Sequence, residues 1–400
     1  MLDVNNKRTL TIKKTQFSTS LIAASCICIL AQFYALPHQL EVLTMLSNRC
    51  LLVLWIIITG VLVVRRLASP VSKSFVSALV LIIFACLSVF MAAMEDLGSL
   101  GNNAKDLIGF FSLIMMLMYS ASYEIKNAKP IVLCANIVAS LIFISLYYSD
   151  LRHSYVTVYG VKYIDVVTLG YSNPNLTAIY LFVCIINLFV AIFYFKHWLL
   201  KVLLALDLTQ ILFILYKTES RTAILLIVVF IILFICSLFY KMPRIFPGIA
   251  IALPIAYALM AQYLFPFFGE ITFRGETIFN GREDIFSRYF DNINLSNFLF
   301  GDFNQFRFDN LHNGYVSIAA TLGVPALICF LIFLKENVYK NYRQIEFAKY
   351  ESVAFWGFIC IIMYACTEAS LFVSSASYGF LIFSVYLLFA KPYAAIQTTQ

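Results

Sequence analysis

Charge is scarce in this chain, and so are the residues that gather metals. Of its 400 residues, 12% are charged and four are histidine. It contains no Asp-x-Asp pair and no His-Glu-x-x-His run, so neither of these metal-binding patterns is present, and no metal or cofactor is expected. The ten cysteines (Cys26, Cys28, Cys50, Cys86, Cys134, Cys184, Cys236, Cys329, Cys360 and Cys366) lie in or at the edge of apolar segments. They lack metal-ligand spacing, suit helix packing and imply no disulfide framework. The alternating pattern of a β-barrel is missing, and neither half of the chain repeats the other. What remains is apolar, 62% of the sequence, in blocks too long and too close together for the core of a soluble protein.

A hydrocarbon layer about 30 Å thick needs roughly 20 apolar residues per helix. Candidates fall at about 17–37, 42–64, 75–94, 107–123, 131–149, 176–195, 198–216, 222–240, 245–267, 313–334, 353–370 and 371–390. The expected fold is therefore an all-α polytopic membrane protein of about twelve spans, or eleven if the last two merge, forming a single integral membrane domain over 1–400. A basic leader precedes the first block, which is long and lacks a small-x-small cleavage site, so it reads as a retained span. With the N-terminus inside, Lys7, Arg8, Lys13, Lys14, Arg65, Arg66, Lys73, Lys126, Lys129, Lys196, Lys201, Lys241, Arg244, Lys335, Lys340, Arg343, Lys349 and Lys391 share its side, 18 of the 28 basic residues against 10 on the other. Both termini are thus expected in the cytoplasm. The net charge of +7 follows largely from this bias, so no nucleic-acid partner is expected.

Polar sequence collects on the opposite face, in segments of about 150–175 and 268–312, the second being the large loop between the ninth and tenth spans. Within it, NGREDIFSRYFDNI places Ile285, Phe286, Tyr289, Phe290 and Ile293 at helical spacing. An amphipathic helix beginning near Gly281, with Asn280 and Glu283 as a capping pair, is predicted to lie against the membrane or the bundle. At about 100° per residue, Arg282 falls in the middle of the apolar stripe, aimed towards the lipid side, whereas Asp284, Ser287, Arg288 and Asp291 fall elsewhere. In KTESRTAILLIVV, starting at Lys217, Ser220 or Thr218 can cap a helix whose first turn holds Arg221. A cation at that positive pole is disfavoured by about 0.3–1 kcal/mol. Free N–H groups plus a guanidinium favour a diphosphate; the alternative is that Arg221 and Arg282 snorkel to headgroups or pair with Glu219 and Glu283. His312 stands just before the tenth span with Asn313 as a helix cap, where an imidazole can exchange a proton with a sugar hydroxyl or simply hydrogen-bond at a helix start. Further on, Gly323 and Pro325 are expected to bend the span.

Together, SRTAILL (220–226), GREDIF (281–286), FLFGDFNQF (298–306) and HNGYVSIAATLGVPALICFL (312–331) resemble the O-antigen polymerase and ligase superfamily of bacterial envelope glycosyltransferases. YSNPNLTAIYL (171–181) resembles a segment of its polysaccharide polymerases. The resemblance implies a GT-C-like enzyme of the bacterial inner membrane. Such an enzyme catalyses metal-independent transfer on the extracytoplasmic face from a glycan carried on undecaprenyl diphosphate. By the same resemblance Arg221 binds diphosphate, Arg282 binds the donor diphosphate or its first sugar, and His312 activates the acceptor hydroxyl. Arg288, Asn313, Asn173, Asn175 and Lys217 extend the substrate site. Membrane lipids and a chain-length regulator or lipid A core acceptor are the implied partners.

Polymerase and ligase share these features, and the SNPN segment favours polymerase. A transporter or flippase shares the many-span profile but usually carries ionisable groups near the midplane. Asp207 is the clearest such charge here, and a hydrogen bond to a neighbouring helix would account for it.

Overall fold

The computed structural model describes residues 3–66, 73–96, 98, 107, 110–111, 113–114, 117–118, 127–149, 157–158, 161–162, 166–171, 173–239, 242–268, 272–273, 276–277, 282–291, 293–306, 311–346, 349–369 and 376–390. Each apolar block outside 107–123 has most of its length on described helices. These are α1 (Asp3–Ala35), α2 (Glu41–Arg66), α3 (Lys73–Glu95), α4 (Ala128–Tyr147), α5 (Pro174–Tyr194), α6 (Trp198–Lys217), α7 (Arg221–Phe239) and α8 (Ile245–Phe268). The large loop folds into α9 (Arg282–Asp291), α10 (Leu295–Phe300) and α11 (Phe303–Phe306). Beyond it run α12 (Gly314–Leu322), α13 (Val324–Tyr342), α14 (Tyr350–Tyr364) and α15 (Ala376–Phe389). Two antiparallel hairpins of two-residue strands occupy the polar segments. In one, β1 (Thr157–Val158) pairs with β2 (Val161–Lys162); in the other, β3 (Thr272–Phe273) pairs with β4 (Glu276–Thr277).

Among the described residues, six helices are long and apolar enough to cross a membrane: α3, α4, α5, α6, α7 and most of α8. Their exposed faces fit a lipid solvent. On α7, Leu225, Val228, Ile232 and Ile235 line one side and are 47–63% exposed. In water each such half-exposed side chain would forgo about half of the roughly 1.5–3 kcal/mol that full burial gives; against acyl chains the stripe costs nothing, so the protein is membrane-embedded. At the centre lies α5, apolar all round and enclosed by α4, α6 and α14, as a helix without a polar face must be.

Polar side chains inside the bundle bond across helices. Asn187 donates to Asn136 Oδ1 (2.9 Å) and to Ser384 Oγ (3.1 Å), tying α5 to α4 and α15. Ser140 and Asp207 Oδ2 are 2.6 Å apart, joining α4 to α6. The apolar segment 313–334 is broken, as Gly323 and Pro325 foretold: Gly323 at φ +89° ends α12, and Pro325 occupies the first turn of α13. Here Pro lacks an N–H at a position that needs none.

Candidate functional site

At one end of the bundle, four chain segments are tied together by hydrogen bonds. Val167 N donates to the Lys217 carbonyl (3.1 Å), so the segment before α5 closes over the end of α6. Thr177 Oγ1 donates to the Thr168 carbonyl (2.7 Å), fixing that segment to the first turn of α5. The turn that follows α14, residues 365–368, is clamped from two sides. Gly314 N donates to the Ala365 carbonyl (2.9 Å) and Asn313 Nδ2 to the Cys366 carbonyl (3.2 Å). On the other side, Thr367 Oγ1 donates to Thr222 Oγ1 (3.2 Å) in the first turn of α7.

This turn delivers a carboxylate to the histidine. Glu368, 8% exposed, places Oε2 at 3.6 Å from His312 Nδ1, an ion pair whenever the ring is protonated. His312 itself is held at φ +46°, in a left-handed region that costs a non-glycine residue roughly 1–2 kcal/mol. Leu169 (φ +50°) and Glu219 (φ +55°) share that conformation and the same end of the molecule. Gln39 (φ +53°) lies in the turn whose Pro37 abuts Gly170. Strained backbone of this kind persists where its surroundings over-determine it, as at ligand sites.

Arg221 opens α7 and is exposed. Ser220 holds the capping position, its carbonyl accepting Ile224 N–H (3.1 Å), and is itself buried. The Thr222–Thr367 bond places Arg221 one residue from the contact with the turn that carries Glu368. Arg282 is the first residue of α9 and Arg288 lies in its second turn; the side chains of both fall outside the described residues, as do Asn280 and Gly281. The α9 stripe is formed over Ile285, Phe286, Tyr289 and Phe290, and it faces protein: Phe286 and Tyr289 are buried with Ala258 and Ala261 of α8 and Val316, Ala319 and Ala320 of α12, whereas Ile293 falls beyond the end of the helix and is exposed. Leu311, next to His312, belongs to the same cluster. Burial pushes the Tyr289 phenol up to about 12, so it stays neutral as an anchor for this helix. The backbone thus brings the helix of Arg282 and the segment of His312 together.

Asn313 is fully buried and its amide is committed. Oδ1 accepts from Tyr315 N and Val316 N (3.0 Å each), capping α12, while Nδ2 donates to the Pro254 and Cys366 carbonyls (2.9 and 3.2 Å). Its place is that of a structural clamp beside the histidine. Asn173 caps α5 by accepting from Asn175 N (2.8 Å). Lys217 ends α6, with Nζ 5.6 Å from the centre of the Phe213 ring. These three residues sit on the Val167 side of the same end.

Glu368, Thr367 and Thr222 escaped the sequence expectations. One signal was available: Glu368 is the only charged residue between Glu351 and Lys391, and a lone acid in so apolar a stretch marks a place where it has a partner. Among the described residues no group of three or more His, Cys, Asp or Glu could hold a metal ion. No protein family, curated protein or solved structure matches the chain.

Proposed function

We propose that the protein is a GT-C-like membrane glycosyltransferase of about twelve spans in a bacterial inner membrane. Both termini lie in the cytoplasm, and the enzyme polymerises undecaprenyl-diphosphate-linked oligosaccharide units on the extracytoplasmic face. The observation that carries this proposal is the convergence of a histidine–carboxylate pair, His312 and Glu368, with the helix terminus that bears Arg221, joined through Thr222 and Thr367.

The chemistry such a site can perform is a direct displacement. An acceptor sugar hydroxyl attacks the anomeric carbon of the donor, forming a new C–O bond as the bond from that carbon to the diphosphate oxygen breaks. The hydroxyl proton passes to His312, and undecaprenyl diphosphate leaves with the electron pair, its charge met by Arg221, Arg282 and the N–H groups at the start of α7. Diphosphate is already a good leaving group, so positioning and charge stabilisation suffice. Buried capping by Asn313 holds the His312 backbone in place during this step.

The test is incorporation of synthetic undecaprenyl-diphosphate repeat units by the purified protein in nanodiscs, read as a product ladder still bound to the lipid. Replacing Arg221, Arg282 or His312 by Ala should reduce the rate by about 10²-fold or more at equal membrane level. Full activity in each variant would remove their roles. Product bound instead to a lipid A core would identify an O-antigen ligase, and flux of the lipid-linked sugar without a new glycosidic bond would identify a flippase.

A further inference from the structure

We propose that Glu368 is the positioning residue for His312, setting the tautomer and orientation of the imidazole through Nδ1 so that Nε2 is the nitrogen that meets the acceptor hydroxyl. This rests on the glycosyltransferase proposal for its chemical meaning, although the pair itself is a matter of geometry.

A histidine takes its tautomer from whatever its second nitrogen touches, and a carboxylate at Nδ1 keeps the proton there and leaves Nε2 as the base. Here Oε2 is 3.6 Å from Nδ1, within ion-pair range and just beyond a direct hydrogen bond. The carboxylate's own mounting is rigid. Cys366 N donates to the Met363 carbonyl (3.0 Å), Thr367 N to the Tyr364 carbonyl (3.1 Å) and Glu368 N to the same carbonyl (3.2 Å). This run extends the end of α14 as a tight coil. The coil is pinned to α12 by Gly314 N and Asn313 Nδ2, and to α7 by the threonine pair. Histidine and carboxylate therefore hang from one clamped unit.

Electrostatics show how the acid is accommodated at this position. Glu368 follows the C-terminus of α14, the negative pole of its own helix, where a carboxylate is disfavoured. Arg221 stands at the positive pole of α7, equally misplaced. The two helices run antiparallel, with Thr222 meeting Thr367 at this end and Ser237 meeting Ser352 at the other. Each charge therefore lies beside the favourable pole of the neighbouring helix. The facing poles thus offset the cost that each charge carries on its own helix, so the acid can stand beside His312 at little cost to α14.

The chain has four histidines, His38, His153, His197 and His312, so ¹⁵N-histidine labelling of the full-length protein in nanodiscs gives a spectrum simple enough to assign, with the His312 signals identified by their loss in His312→Gln. In Glu368→Gln the Nδ1 resonance of His312 should move while those of the other histidines stay in place, the latter serving as the check on folding. An unmoved His312 resonance overturns the pairing. In the ladder assay, Glu368→Gln should lower kcat by about ten- to a hundredfold with little change in KM, and adding it to His312→Gln should cost nothing more. Independent, multiplying losses would overturn a role exercised through His312. Should Glu368→Gln fail to accumulate, Glu368→Asp, which keeps the charge on a shorter stem, supports the same resonance measurement and must still shift the signal. A wild-type protein that makes no polymer removes the glycosyltransferase proposal while leaving the spectroscopic result to decide the pair.

Discussion

Gly301 and Gly323 face each other across a single backbone crossing. A Cβ added to Gly301 would lie 2.5 Å from the Thr321 carbonyl oxygen, and one added to Gly323 would lie 2.9 Å from Phe300 N and nearer still to the Leu299 carbonyl. The end of α10 thus passes in contact with the break between α12 and α13. Asp302 N donates to the Ala320 carbonyl (2.7 Å), Ser88 Oγ bonds the Thr321 carbonyl, and Asn304 Nδ2 donates to the Ala92 carbonyl (2.9 Å), so α3 joins the same crossing. Because α12 begins at the residue after Asn313, this crossing fixes the direction in which the His312 segment is presented.

Both glycines also adopt backbone angles that other residues avoid, φ +72°, ψ −176° at Gly301 and φ +89°, ψ +159° at Gly323. Gly323→Ala and Gly301→Ala should each destabilise the protein by about 1–3 kcal/mol from strain alone, with the backbone overlap adding to this. Thermal unfolding in detergent, followed by size-exclusion fluorescence, measures the loss. A wild-type melting curve for either variant would mean that the two segments do not cross so closely.

Asn313 invites a different substitution. Asn313→Asp keeps the oxygens that cap α12 but turns the two donors towards the Pro254 and Cys366 carbonyls into acceptors, burying a charge against two carbonyl oxygens. A cost of about 3 kcal/mol or more is expected, seen as reduced melting temperature and membrane level. If the variant instead folds normally and only its KM for the lipid-linked unit changes, the side chain faces substrate and the clamp is misassigned.

The long helices were legible in the sequence because lipid exposure demands continuous apolar runs, and the break between α12 and α13 was legible because Gly and Pro announce it. The α9 stripe could also be read from periodicity, whereas its destination could not. Periodicity says that a face is buried, not whether lipid or the α8–α12 surface buries it. Glu368 was hidden for a related reason: its meaning lies in contact with His312, and no local pattern encodes a contact between segments so far apart in the chain. Nor do Leu169 and His312 carry any sign of their left-handed backbone, which their surroundings impose.

Arg221→Lys tests the chemistry of charge recognition. Lysine preserves the charge at the start of α7 but loses the fork that grips two phosphate oxygens at once. Since the side chain is exposed, the change should leave stability within about 0.5 kcal/mol of wild type. Polymer formation should fall by about tenfold or more, the equivalent of one lost charge-assisted hydrogen bond. Undiminished activity would contradict paired-oxygen binding and leave Arg221 as a simple electrostatic anchor.

Asp207 separates the enzymatic proposal from ion-coupled transport. Its carboxylate lies inside the bundle with Ser140 at 2.6 Å, and a transporter that uses an intramembrane acid to carry a proton or cation requires that acid to ionise. An amide at this position would still accept the Ser140 hydroxyl and fill nearly the same volume, so Asp207→Asn removes the charge while keeping the contact. If the acid only joins α4 to α6, the variant should keep polymer formation within about twofold of wild type, a difference of about 0.4 kcal/mol, and should not lose stability. Collapse of activity in a well-folded Asp207→Asn protein, restored by no change of lipid-linked substrate but accompanied by loss of a proton or cation gradient response, would move the function away from glycosyl transfer and towards transport.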